Sequence, residues 1–371
     1  MKFTASTLEL QRMLAKLGGV LPTRSTMPIL ENILFDLRGT NLTMTATDLS
    51  ISLAVSMQVQ GVEDGRIAVP AKRLVDTVRS LPDLQASFTI DTTSSRITLT
   101  TPNGHYHLTG ENAKEYPQIP AFQGTGSVSL ENDTLRKIIQ RTVFAVSADE
   151  LRPAMMGVLF QAKGKELRAV STDGHRLVRL IYTGLGSLPI TKDIIVPAKA
   201  LSILGKSLEA GTVELSVGET HVQFSFDGST LVSRLIEETY PNYESVIPTE
   251  NDKMLAVNRE EMIASIRRVA LYASATTHQI RLAVGEGTVE LSAQDIDFGG
   301  EARETLAGSF TGGTLEIGFN ATYLTDILAH LDGEQVRFKF STPTRAAIVG
   351  PADTVEDEDV MMLVMPVRLN A

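Results

Sequence analysis

Along Glu166–Leu180, ELRAVSTDGHRLVRL, a run of largely alternating apolar and polar residues leads into Thr-Asp, and a second such run follows. A period of two on both sides of a turn signal predicts strand, tight turn, strand. The pattern occurs earlier in Asn41–Val55, NLTMTATDLSISLAV, and in weaker form later in Val289–Leu306, VELSAQDIDFGGEARETL. The turn aspartates Asp48, Asp173 and Asp295 lie 125 and 122 residues apart. A period that long marks a repeated domain rather than a solenoid unit.

Each copy opens with a short strand and then a stretch at helical spacing. Leu10, Leu14 and Leu17 carry it in the first copy, Leu135, Ile138, Ile139 and Val143 in the second, and Met262, Ile266 and Val269 in the third. Thr7, Asn132 and Asn258 stand near the starts, where a side-chain oxygen can accept from unpaired backbone N–H groups. A second helix is predicted after Val69-Pro70-Ala71-Lys72, Val196-Pro197-Ala198-Lys199 and Phe319-Asn320-Ala321-Thr322. Proline suits a helix start because it lacks the N–H that would go unsatisfied there. Alternating segments such as Val222–Phe226 and Val336–Phe340 close each copy. Tyr116–Pro120 and Tyr240–Tyr243, with Gly124-Thr125-Gly126 and Pro248–Asn251 beyond them, read as linkers. The expected fold class is α+β, three repeated domains at 1–125, 126–250 and 251–371, each with two helices on a curved antiparallel sheet.

Length and composition fit that division. The 371 residues exceed one ordinary core, and 21% charged with 43% apolar residues indicates a folded, soluble chain. With no cysteine, disulfides, thiolate zinc sites and a thiol nucleophile are excluded. The first residues lack a signal-peptide core, and no stretch of about 18 apolar residues is present. A cytoplasmic location is therefore expected, and the Asn-X-Thr sequons at Asn41, Asn132 and Asn320 carry no glycan in this reading.

Charge changes the picture more. The net charge of −10 argues against a polyanionic partner until its distribution is considered. The six helical windows, 7–17, 71–80, 131–141, 198–209, 259–268 and 321–331, hold more Lys and Arg than Asp and Glu, while the remainder is strongly acidic. At 100° per residue, Arg136, Lys137 and Arg141 fall opposite Leu135, Ile138 and Ile139; Lys199 and Lys206 fall opposite Leu201 and Leu208; Arg267 and Arg268 fall opposite Met262 and Ile266. Each face alone could be an ordinary solvated face. Its recurrence in an otherwise acidic chain points to one surface facing a polyanion.

Other chemistry is weakly supported. Gly205-Lys206-Ser207 lacks the leading glycine of a phosphate loop, since position 200 is Ala200, and falls inside a predicted helix. Gly184-Leu185-Gly186 fails the dinucleotide pattern at Pro189. His105 and His107 share a strand face without a third ligand. Asp295 and Asp297 could hold magnesium, but the repeat explains Asp295 as a turn residue. Glu356–Asp359 reads as a solvated loop. No catalytic set, metal or cofactor is expected.

The tripled domain, the Val-Pro-Ala-Lys helix starts, Pro28–Asn32, Ser171–Leu177, Tyr240-Pro241-Asn242-Tyr243 and Met365-Pro366-Val367-Arg368-Leu369 together resemble the bacterial sliding clamp family, the beta subunit of DNA polymerase III. The resemblance covers the whole chain. It implies a non-catalytic processivity factor, a head-to-tail homodimeric ring around double-stranded DNA, held topologically and blind to sequence. It implies DNA contacts at Arg24, Lys72, Arg73, Arg79, Arg136, Lys137, Arg141, Lys199, Arg267 and Arg268. It also implies a groove for short motifs, with a Gln and apolar anchors, of the clamp loader, the replicative DNA polymerase and repair proteins. Arg152, Met155, Thr172, Gly174, His175, Arg176, Leu177, Pro241, Val246, Asn320, Tyr323, Leu363, Met365, Pro366, Val367 and Arg368 would form it. The dimer contact would join Tyr106 and Leu108 to Leu271 and Tyr272. Two departures stand out: Asn370-Ala371 follow the Leu at which many members end, and Arg152-Pro153-Ala154 lacks aromatics that some relatives carry. The alternatives are a repeat scaffold or a hydrolase not acting on DNA.

Overall fold

The computed structural model describes residues 1–369 except 120, 121, 123, 125, 186–189, 191, 296–298 and 354. Asp297, Gly186, Pro189, Asn370 and Ala371, and Pro120 and Thr125 of one expected linker, lie outside the described residues.

Six α-helices are described: α1 (Thr7–Leu17), α2 (Ala71–Ser80), α3 (Asn132–Val143), α4 (Ala198–Ser207), α5 (Arg259–Ala270) and α6 (Ala321–Ala329). They follow the expected two-per-copy rhythm, and their starts show why. Ser6 accepts from the Glu9 N–H, Asn258 from Glu260 and Glu261, and Asn320 from Thr322 and Tyr323. Pro70 precedes α2 without a side-chain cap. The apolar faces turn inward: Leu10, Leu14 and Leu17 on α1, Leu74 and Val78 on α2, and Met262, Ile266 and Val269 on α5 are buried.

The chain divides into two compact units, Met1–Arg136 with Lys199–Leu235, and Lys137–Ala198 with Ile236–Ala371. The cause is strand pairing between successive copies. In the first unit, Ile51–Gln58 of the first copy pairs antiparallel with Ser229–Arg234 of the second, giving one eight-stranded sheet. In the second unit, Arg176–Tyr182 pairs with Glu358–Val364, giving a nine-stranded sheet. Sequence periodicity shows which face of a strand is apolar but not which strand lies beside it. The first unit also has a five-stranded sheet ending in the strand Gly104–Thr109, and the second a four-stranded sheet ending in Gly300–Ala307.

The Tyr-Pro segments expected as linkers are anchored instead. The Tyr116 hydroxyl donates to the Thr45 carbonyl at 3.1 Å and reaches that of Asn32 at 3.3 Å. Burial raises its pKa to about 12. Tyr240 reaches the Val170 carbonyl at 3.4 Å, and burial likewise raises its pKa. Tyr243 is buried, with its hydroxyl donating to Gln161 Oε1 at 2.8 Å. A Tyr beside a Pro thus plugs the end of its own sheet, a role that turn propensity alone does not reveal.

The acidic run Glu356–Asp359 is not a solvated loop throughout. Glu358 and Asp359 begin the strand Glu358–Val364, the Glu358 side chain is only 7% exposed, and Asp359 pairs with Arg179 at 3.0 Å.

Candidate functional site

The turn Thr172–Arg176 is held by its own side chains. Thr172 Oγ1 accepts from the Gly174 N–H at 3.1 Å and donates to the Arg176 carbonyl at 2.7 Å. Asp173 Oδ1 accepts from the N–H groups of His175 and Arg176 at 2.8 and 2.9 Å. Gly174 adopts φ +92°, where a Cβ would sit 3.1 Å from Arg152 Nη1. Only glycine meets both demands without strain.

Arg176 ties this turn to the third copy. Its Nε donates to Asp173 at 3.1 Å, Nη1 to Asp326 at 2.5 Å and Nη2 to the Phe144 carbonyl at 2.8 Å. The guanidinium lies 5.2 and 5.0 Å from the Phe144 and Tyr323 ring centroids, within cation–π range. With all three nitrogens engaged, Arg176 positions the turn and presents little charge of its own. His175 stacks on Tyr323 at 5.6 Å, and its carbonyl accepts from the Met365 N–H at 2.8 Å.

In front of the turn lies a groove of about 560 Å³. Of the expected residues, Met155, Thr172, Gly174, His175, Arg176, Leu177, Pro241, Val246, Leu363 and Met365 line it. Its apolar floor continues into a buried cluster that includes Leu159, Val170, Leu177, Tyr243, Met361 and Leu363. Six expected residues stand outside the wall. Arg152 supports the turn, donating to Asp149 at 2.8 Å and to the Asp173 carbonyl at 3.3 Å. Asn320 caps α6, and Tyr323 backs His175. The Val367 N–H donates to the Gly318 carbonyl at 2.8 Å, so Pro366, Val367 and Arg368 run from the groove along the third copy.

Sequence reasoning assigned no groove role to Asn242, Tyr243, Ser245, Ile247, Pro248 and Thr249, or to Thr344, Arg345 and Ala346, all in the wall. The first set lies in and around a segment read as linker, where a Pro at each end and an embedded Tyr were the available signal. The second belongs to a polar hairpin with no periodicity to betray it. Apolar depth with a hydroxyl-rich rim suits an extended segment carrying a few large apolar side chains.

The expected DNA-contacting cations divide into three groups. Arg24, Lys72, Arg73, Arg79, Lys137 and Arg267 are exposed, with no acidic partner among the described residues. Lys199, Arg268 and Arg136 are exposed or half-buried but compensated, by Asp48, Glu304 and Asp133 respectively. The Arg268 guanidinium grips Glu304 through two bonds of 2.7 and 2.6 Å, lowering the Glu304 pKa to about 2. Arg141 corrects the expectation: it is 7% exposed and ion-paired to Asp332 and Glu358. Three residues after Ile138, it lies about 60° round α3 from that buried side chain, at the margin of the apolar face, and turns to the third copy, where its charge is already taken.

The expected dimer residues lie at or near sheet edges. Tyr106 and Leu108 sit on the edge strand Gly104–Thr109, where Leu108 is already buried by its own copy and Tyr106 is partly exposed. Leu271 is 81% exposed just after α5. Tyr272 packs near Gly300 at the head of the other edge strand, Gly300–Ala307. His105 and His107 each meet a threonine hydroxyl at 3.2 Å, and no metal-holding cluster occurs among the described residues.

Three like α+β domains with strands shared between successive copies are the architecture of a clamp. Family models of the DNA polymerase III beta subunit match the N-terminal domain at 1–120, the central domain at 129–242 and the C-terminal domain at 244–368. The beta sliding clamp of Vibrio cholerae is 33% identical over 372 residues and that of Pseudomonas aeruginosa 31%, with both chains covered at 100%. A solved DnaN sliding clamp from Bartonella birtlesii, bound to griselimycin, matches with a TM-score of 0.94 at 30% identity, covering 100% of both chains. The chain belongs to the DNA polymerase III beta subunit family, the sliding clamps, which are non-catalytic processivity factors of DNA polymerase.

Proposed function

We propose that two copies of this chain, each with domains 1–125, 126–250 and 251–371, close head to tail around double-stranded DNA in the cytoplasm and tether a polymerase to it. The observation that carries this reading is the repeated helix with a buried apolar face and an exposed cationic one. Uncompensated Lys and Arg recur on α2, α3 and α5, in a chain whose net charge is −10. Scattered phosphate contacts of this kind are weak, salt-sensitive and indifferent to sequence, so the duplex can slide. An acidic remainder keeps nucleic acid off the other surfaces.

The edge strands Gly104–Thr109 and Gly300–Ala307 are the surfaces proposed to join, with Tyr106, Leu271 and Tyr272 beside them. Pairing would cover backbone groups that otherwise invite aggregation. The Thr172–Arg176 groove is proposed to receive short apolar motifs of the clamp loader, the replicative DNA polymerase and repair proteins. That a relative was solved bound to griselimycin fits a chain built to accept ligands. Methionines at 155 and 365 let the walls adapt to different anchors.

Analytical sedimentation tests the assembly. The expected result is a particle of twice the chain mass, reduced to one chain mass by Leu271→Asp with Tyr272→Asp. A wild-type chain that stays single at micromolar concentration would overturn the ring.

A further inference from the structure

The groove does not end at its own walls. Ile247 is shared with a neighbouring cavity of about 330 Å³ that also holds Arg337 and Lys339. Pro241, Asn242 and Tyr243 are shared with another of about 400 Å³ that holds Asp193 and Glu238. The short helical turn Tyr243–Val246 separates the two shared points along the chain.

The charges on these flanks differ in sign. Lys339 is exposed with no acidic partner among the described residues, and Arg337 donates to the Ala352 carbonyl at 3.0 Å. Arg345, in the groove wall itself, has only an exposed 3.5 Å contact with Glu250, a pairing of little strength. The counter-charges there are Asp353, Glu358 and Asp359, and Asp359 is taken by Arg179. Glu358 is taken by Arg141. On the other flank, Glu238 is exposed and Asp193 accepts from Gln161 at 2.6 Å. Glu244 there is neutralised by Lys163 and Arg168.

We propose that this bipolar setting fixes the direction of the bound segment: residues leaving past Ile247 toward Lys339 and Arg345 are acidic, and residues leaving past Pro241 are not. This rests on the groove reading and adds the chemistry of the partner's flanks. Rim charges act mainly on selectivity and encounter rather than on the anchors.

The test uses synthetic peptides carrying one Gln and two Leu anchors, flanked on one side or the other by three Glu, three Gln or three Lys, titrated against the full chain by fluorescence anisotropy. Glu on one flank should tighten binding by about twofold to fivefold at low salt, and on the opposite flank should weaken it. Lys339→Glu, which lies in the neighbouring cavity and outside the groove wall, should remove the first effect and leave the Gln-flanked peptide unchanged. Equal responses on both flanks, or none while the Gln-flanked peptide still binds, would overturn the polarity alone. No binding by any peptide would overturn the groove reading with it.

Discussion

The turns Thr47–Ile51 and Thr172–Arg176 are the same structure put to different use. In the first, Asp48 Oδ1 accepts from the N–H groups of Ser50 and Ile51 at 3.0 and 2.8 Å, and Thr47 Oγ1 donates to the Ile51 carbonyl at 3.0 Å. In the second, Asp173 and Thr172 repeat every one of these bonds. The residue after the Asp takes a positive φ in both, 76° at Leu49 and 92° at Gly174. What differs is the last position. Ile51 is buried, whereas Arg176 reaches out to Asp326 and the Phe144 carbonyl. A threonine-aspartate pair is therefore a scaffold device, and one substituted side chain turns it into the back wall of a groove.

Arg176→Ala should do the greatest damage to this arrangement. Asp173 and Asp326 lose their common partner, and because Asp326 is 39% exposed, breaking these charge-assisted bonds costs about 2–3 kcal/mol. Denaturation of the unit carrying the groove, followed together with peptide binding, should show both falling. Asp48→Asn in the sister turn gives up only the Lys199 pair, which is half-exposed, and should cost less than about 1 kcal/mol with peptide binding intact.

The glycine position gives a smaller, opposite pair. Gly174→Ala forces a side chain into the left-handed region and against Arg152, at about 1–2 kcal/mol. Leu49→Gly removes that same strain from the first turn, so its unfolding midpoint should hold or rise. A rise at both positions would mean the turns are not equivalent.

The smallest effect concerns pH. Glu304 ionises well below an ordinary glutamate because Arg268 donates to it, with a pKa of about 2. Its folded value lies below the unfolded one, so the contribution is full above the unfolded pKa and lost as pH falls toward 2. Solvent screens this surface pair, so stability should change little. A carboxyl carbon titration should place the midpoint near 2 and return it to the usual range in Arg268→Ala.

Much of the fold was legible because helix caps and apolar spacing are local signals. Asn258 and Asn320 stand where a start needs an acceptor, and Leu10, Leu14 and Leu17 mark a face. The turn aspartates were visible for the same reason. Contacts between copies were not. Arg141 and Glu358 are far apart in sequence and are joined only because one copy's strand pairs with the next. Thr344, Arg345 and Ala346 reach the groove by that same sheet order. Arg141 was read as solvent-facing, yet it stands three residues after the buried Ile138, about 60° away at the margin of the apolar face, where a neighbouring copy covers it.

Retention on DNA of defined topology tests the central claim most directly. Loaded onto a nicked circle in moderate salt, the protein should remain bound through gel filtration and leave promptly once the circle is cut to a blunt linear duplex. Equal loss from circle and line, governed by salt alone, would show that the cationic helices bind duplex from outside and that no closed ring holds it.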